Sequence, residues 1–398
     1  MADMEVNLSF PADSVLDALE NRLEKYDTER PPGPTKEVLT EEELAIKIAR
    51  LDELESSLLP SIQNLVGPLV TSLGLRPDSN PNFESTCNIL STLDEAWWQT
   101  VLSIESAAFG VIPDSTKDHH LKRCKDFTCS QLINIISNLK RHLFPLLKCA
   151  ILFMKSLKVS SDDVERISYR NQQSNLRYHA ANASAMMRET MKSLHRSDFQ
   201  IIQDKWQEQE ASLDRLLLAL TRLTGPRLVR RRNGASALSV HVVELAKLSL
   251  PLIKLARTFS KQVSRTTTSK LLFTLDTNLN SKTLSRLHKH PESIETCFSK
   301  LISVLYTASI HNVLADGRAV LRNWVQNISQ TFESTLLLLV LHLIPLASLE
   351  TDRDSAGNNF KAWFAAWHEA WHRAVDNFLN TLQRFERQNQ QPLAPPRA

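Results

Sequence analysis

With 398 residues, 42% of them apolar, the chain can bury a sizeable core as one large domain or as two to three smaller ones. Its 47 lysines and arginines nearly cancel 44 acids, and the net charge of +3 argues against wholesale nucleic-acid binding and against an acidic tail. Only 8 glycines occur, too few for the many tight turns of an all-β fold or for phosphate-cradling loops, so long helices are expected.

Residues around Asp13 to Thr28 read as a short amphipathic helix, and RPPGPTKE after it is a proline-rich hinge; together they make a first segment, 1–36. Thr40, with Glu43 three residues later, forms a capping box that opens a long helix. That helix runs through Pro60, Gly67 and Pro68 to a stop at Gly74. A second stop at Gly110 closes a helix from Phe83 to Ala108 that carries Trp97 and Trp98. From Asp114 the pattern is helical nearly to Leu157, with Leu132, Ile136, Leu139, Leu143, Leu147, Ala150 and Met154 at the three-four spacing of a buried stripe. Two more helices are predicted over Asp162–His195 and Asp198–Thr224, the second capped by Ser197 and Gln200.

The loop GPRLVRRRNG (Gly225–Gly234) is expected to divide the halves, giving a first bundle over 37–225, a basic loop over 226–235 and a second bundle over 236–388. In the second half a helix runs from Ser236 to about Ser264, and a polar region with HKHPES leads into another that begins near Pro291. Asp316 and Gly317 interrupt it before helical spacing resumes to about Leu349. ETDRDSAGNN is predicted to be a loop, the last helix to run from about Asn359 to Glu386, and the tail 389–398 to be disordered. No convincing alternation of apolar and polar β-branched residues occurs, so strand content should be near zero. The expected fold is all-α, with about eight to eleven helices in one or two antiparallel bundles.

An internal match supports that reading. PLLKCAILFMK (Pro145–Lys155) and PLIKLARTFSK (Pro251–Lys261) share six identities at the same spacing, which points to a duplicated helical unit. Proline also recurs in apolar helical sequence at Pro60, Pro145, Pro251 and Pro345, where each ring should kink its helix or begin a new one. The apolar stretch Leu336–Leu349 contains His342 and Pro345 and falls short of the roughly 20 residues of a membrane span, so a buried core helix is expected. The five cysteines (Cys87, Cys124, Cys129, Cys149, Cys297) are odd in number and scattered, which disfavours a disulfide framework. With an N-terminal stretch that resembles neither a secretory nor a mitochondrial leader, this places the protein in the cytoplasm or nucleus as an expectation.

Three constellations could carry chemistry. HEAWH, His368–His372, matches H-E-x-x-H on a predicted helix, in which His368 and His372 would hold zinc and Glu369 would activate water for a metal-dependent hydrolase. Against this stand Arg373 beside the second histidine, the few acids that follow, and the parallel with LDEAWW (Leu93–Trp98), which shares Glu-Ala-Trp but has no ligand histidines. Trp363, Trp367, Trp371, Val375, Phe378, Leu382 and Phe385 form an apolar stripe with the histidines on its flank, so the expectation is helix packing, with no catalytic residue, cofactor or metal. His119, His120, Cys124 and Cys129 form a second candidate, read as surface histidines and structural cysteines because no second ligand pair follows. Arg227, Arg230, Arg231 and Arg232 could contact an anion, a membrane surface, a nucleic acid or a partner, although a short basic run without interleaved aromatics is more often a solvated linker.

The long helices with central prolines, PLIKLARTFSK among them, are similar to helices of the vinculin and α-catenin class and of the Grap2/cyclin-D-interacting proteins. The resemblance implies a helical bundle and transfers no functional residue. Helical repeats without a catalytic signature lead to the expectation of a non-enzymatic adaptor or scaffold that offers a groove to the amphipathic helix of a protein partner.

Overall fold

A computed structural model describes residues 33–75, 82–156, 163–225, 237–264, 273–276, 278–311, 317–345 and 353–390. The chain divides into two compact units, 1–196 and 197–398.

The first unit opens with a two-residue strand β1 (Thr35–Lys36) that pairs in parallel with β2 (Ile112–Pro113). Helix α1 (Glu41–Glu53) begins at the foreseen capping box, in which the Thr40 hydroxyl accepts from the Glu43 amide and the Glu43 carboxylate accepts from the Thr40 amide. A π turn over Leu54–Leu58 then separates α1 from α2 (Leu59–Ser72). Proline placement accounts for the turn: Pro60 offers no amide and its ring crowds the carbonyl one turn back, which the wider π winding accommodates. Gly74 ends α2 at φ 68°, and the Leu75 amide reaches back to the Val70 carbonyl. Helix α3 (Phe83–Phe109) is capped by the Asn82 side chain and stops at Gly110. Gly33 lies against this stop, where a Cβ would fall 1.9 Å from the Gly110 carbonyl oxygen.

The stretch after Asp114, expected to be helical, is instead a 3-10 segment (Asp118–Cys124) with Lys122 at φ 48°, followed by α4 (Asp126–Ser156). Asp118 explains the restart, since its carboxylate accepts from the Asp126 amide at 2.9 Å and caps α4. Helix α5 (Asp163–Leu194) completes the unit. Helices α2, α3, α4 and α5 form a closed ring, each packed on the next and α5 back on α2, while α1 packs on α3. Arg177 of α5 donates to the Leu75 carbonyl. The core includes Leu59, Ile62, Leu69, Leu90, Val101, Ile104, Leu139, Leu146 and Phe153.

The second unit begins at α6 (Asp198–Thr224), capped by Ser197 and Gln200 as expected. It continues with α7 (Ala237–Val263), β3 (Phe273–Leu275), α8 (Ser281–His311), α9 (Gly317–His342), β4 (Leu343–Pro345) and α10 (Arg353–Gln390). Helices α7 to α10 close a second four-membered ring, and α6 lies along α7 and α8. Side-chain pairs fix the directions: Gln203 meets Val263 and Asp214 meets Arg257, so α6 and α7 are antiparallel. Trp367 meets Leu255 and Arg384 meets Glu244, while Glu386 meets Arg322 and Trp371 meets Ser329, so α10 runs against both α7 and α9. Three mutually touching helices cannot all be antiparallel, and α6 with α8 is the parallel pair. Gln209 ties that trio, donating to the Pro291 carbonyl at 2.7 Å and accepting from Ser260 at 2.8 Å.

Several boundaries differ from the expectation. The division of the chain falls at Arg196/Ser197, not in 226–235, because α6 buries Phe199, Ile202, Trp206, Leu213 and Leu220 in the second unit. Helix α8 starts at Ser281, ten residues before Pro291, with the Asn280 side chain accepting from the Thr283 amide. HKHPES is therefore inside it. RDSAGNN is the first part of α10, not a loop. The apolar run from Leu336 is not a wholly buried helix: it ends at His342, passes into β4 antiparallel to β3, and exposes Leu337, Val340, Leu341 and Ile344. Pro60 begins a helix, Pro145 and Pro251 sit inside continuous helices, and Pro345 lies in β4. The remaining expectations for 1–32 and 391–398 fall outside the described residues.

The internal match holds at the level of packing. Leu146, Leu147, Ala150 and Phe153 are buried in α4, and Leu252, Ile253, Ala256 and Phe259, their counterparts, are buried in α7. Lys148 and Lys254 are exposed in both. The fold is an all-α arrangement with almost no strand, and among the described residues no helix is long and apolar enough to cross a membrane.

Candidate functional site

Helix α10 presents its tryptophans inward. Trp367 is buried and donates from Nε1 to the Leu255 carbonyl at 2.9 Å; Trp371 is buried and donates to Ser329 Oγ at 2.8 Å. Both rings pack on Phe332, and Trp367 also packs on Phe259. One residue further round the helix stand His368 and His372, which therefore point away from the core. Their Nε2 atoms are 2.9 Å apart, and His372 Nε2 lies 3.6 Å from Glu333 Oε1 on α9. Glu369 does not join them: it is exposed and faces Arg373 at 3.6 Å. The structure thus brings together two of the three H-E-x-x-H residues. Among the described residues, no group of three or more histidines, cysteines or acids has a metal-holding arrangement. Trp97, the counterpart of Trp371 in the Glu-Ala-Trp comparison, is buried as well, which agrees with a packing role for the shared tripeptide.

His119, His120, Cys124 and Cys129 are not brought together. The two imidazoles are exposed and meet edge to face, whereas both thiols are buried. Burial pushes the Cys129 thiol up to about 12 and raises Cys124, so neither is a ready thiolate. None of the five cysteines is in a disulfide. Arg227, Arg230, Arg231 and Arg232 lie outside the described residues.

Two features had no counterpart in the sequence reading. In the first unit, Lys47 is 3% exposed and its Nζ donates to the Ala107 carbonyl in the last turn of α3, a cation at the negative end of a helix. Nearby, the left-handed backbone at Lys122 carries Arg123 onto Asp52 and onto Glu55 of the π turn. These contacts bind the 3-10 segment to the first helix and account for the Lys122 conformation.

In the second unit, α8 and α9 enclose an open groove of about 750 Å³, lined by Arg286, Lys289, His290, Trp324, Asn327 and Ser334 among others. Arg286 donates to Ser334 at 2.9 Å, and Lys300 stands over the Trp324 ring at 4.6 Å. His290 Nδ1 is 2.7 Å from the Thr335 hydroxyl, and burial, aided by Arg286, lowers its pKa to about 4, so the ring is neutral. On a helix of 3.6 residues per turn, Asn327, Gln330, Ser334, Leu337 and Leu341 share one line of α9. The polar groove therefore continues, along the same helix, into the exposed apolar residues at its end. The signal was present in the sequence as that spacing, but a run of leucines reads as core unless its partners are known.

Family comparisons divide the chain at the same point as its packing. Residues 47–195 match the model described as Domain of unknown function (DUF8723), and residues 197–380 match Domain of unknown function (DUF8721). No curated protein and no solved structure matches the chain.

Proposed function

We propose that the protein is a non-enzymatic helical adaptor or scaffold, and that its second unit receives an amphipathic helix of a protein partner along α8 and α9. The observation that carries this reading is the apolar stripe at the end of α9 and on β4 directly after it, where Leu337 is 60%, Val340 44%, Leu341 65% and Ile344 48% exposed. Leu337, Val340 and Leu341 stand at the i, i+3, i+4 spacing by which one helix lays its face against another, and Ile344 extends the apolar surface onto β4. Isolated exposed leucines are ordinary, but a contiguous stripe of large apolar side chains marks an interaction surface. The groove beside it supplies polar groups that can set the register of a bound segment.

The test pairs wild type with Leu337→Asp/Leu341→Asp. Both positions are exposed, so the melting curve should hardly move. Proteins captured by the wild type but lost by the variant, with the contact mapped to α9 by cross-linking, would support the adaptor reading. Identical capture by both forms would remove it.

A further inference from the structure

The geometry points to a tetragonal transition-metal site on the outer face of α10, in which His368 and His372 chelate one copper(II) ion, or nickel(II) more weakly, through their Nε2 atoms. It is distinct from the adaptor surface and uses a different set of residues from a zinc hydrolase. Two imidazoles one helical turn apart share a face, and here their Nε2 atoms stand 2.9 Å apart, within hydrogen-bonding distance, so that a bound ion would take the place of the shared proton. That separation selects the ion. With metal–imidazole bonds of about 2.0–2.1 Å, two nitrogens 2.9 Å apart subtend an angle of about 90° at the metal. A tetrahedral ion would hold them about 3.3 Å apart at the same bond length. Cis positions of a square or tetragonal field fit, and these are the preferred geometries of copper(II) and nickel(II). Copper also stands highest in the affinity order of divalent first-row ions for nitrogen ligands.

The surroundings agree with such a site. Trp367 and Trp371, each directly preceding one of the histidines, are locked into the core by their own hydrogen bonds, which fixes the azimuth of α10 and holds both imidazoles outward. Glu333, 3.6 Å from His372 Nε2, faces the site from α9 and adds a negative charge beside the bound cation. Arg373 is turned to Glu369 on the far side. Water completes the coordination sphere, and no proton-transfer chemistry is implied.

The experiment titrates copper(II) into untagged full-length protein, followed by calorimetry and electron paramagnetic resonance. The wild type should bind one ion with a tetragonal spectrum showing hyperfine splitting from two nitrogens. Once one imidazole has bound, the second acts at high effective concentration, so His368→Ala and His372→Ala should each weaken binding about a hundredfold. Glu369→Gln should leave affinity and spectrum unchanged. If His368→Ala/His372→Ala keeps the same two-nitrogen signal, the ion resides elsewhere and the assignment fails. A preference for zinc, or loss of the site in Glu369→Gln, would overturn it in favour of the hydrolase-type arrangement. Both histidines are solvent-facing on a helix, so unchanged circular dichroism is expected for every variant.

Discussion

Phe259 is the residue whose removal should harm the second unit most. Its side chain is fully buried, and its ring centroid lies 5.2 Å from Trp206, 5.2 Å from Phe332, 5.8 Å from Phe364 and 4.7 Å from Trp367, so it joins α6, α9 and α10 to its own helix. Phe259→Ala opens a cavity among rings that cannot collapse inward, because Trp367 is held to the Leu255 carbonyl. Truncations of this kind cost about 3–5 kcal/mol, and the lost aromatic pairs, each contributing about 0.5–1.5 kcal/mol, place this one toward the upper end. For a unit of this size that corresponds to a fall of about 10–20 °C in the melting temperature. Thermal and urea unfolding followed by far-ultraviolet circular dichroism should show it, with hydrogen exchange accelerated across α6, α7, α9 and α10. Phe259→Leu, which keeps much of the volume, should cost about 1 kcal/mol. A loss below about 1 kcal/mol for the alanine variant would mean that the aromatic cluster is not the centre of the unit.

Stability should also fall on acidification. His290, His288 and His241 all have pKa values lowered by burial, His290 to about 4. Each takes up its proton at lower pH in the folded chain than in the unfolded one, so stability rises with pH through this range; for His290 the stabilisation is complete above pH about 6.5 and is lost as pH falls toward about 4. Urea midpoints measured across that range should slope downward, and His290→Gln should flatten the slope; an unchanged slope would show that this imidazole is not protected from protons. Gly74→Ala should destabilise the first unit by about 1–2 kcal/mol, because Gly74 holds φ 68° at the end of α2. Equal urea midpoints for the two forms would show that the αL cap is not needed.

Local chemistry was readable in the sequence, and partner choice was not. Thr40 with Glu43, Ser197 with Gln200, and Gly74 each act through residues a few positions away, so their spacing sufficed to place helix ends. The buried face of PLIKLARTFSK follows from its period alone. What failed depended on distant residues. A glycine- and arginine-rich loop reads as a boundary in the sequence, yet α6, which precedes it, belongs to the second unit because Trp206 and Gln209 find their partners on α7 and α8. HKHPES reads as polar sequence ahead of a helix because proline and charge are common in loops; within α8 the same residues divide between the surface, with Lys289, Glu292 and Ser293 exposed, and the interior, with Pro291 buried. At H-E-x-x-H the sequence supplied the two histidines, but Glu333, thirty-five residues earlier than His368, becomes their neighbour only through the packing of α9 on α10.

The aromatic filling of the second unit has an optical consequence. Five of the seven tryptophans, Trp206, Trp324, Trp363, Trp367 and Trp371, belong to residues 197–398. Trp206, Trp367 and Trp371 are shielded from water. The intrinsic fluorescence of the intact protein is therefore weighted toward this half, and a red shift on heating or in denaturant registers its opening without any attached dye.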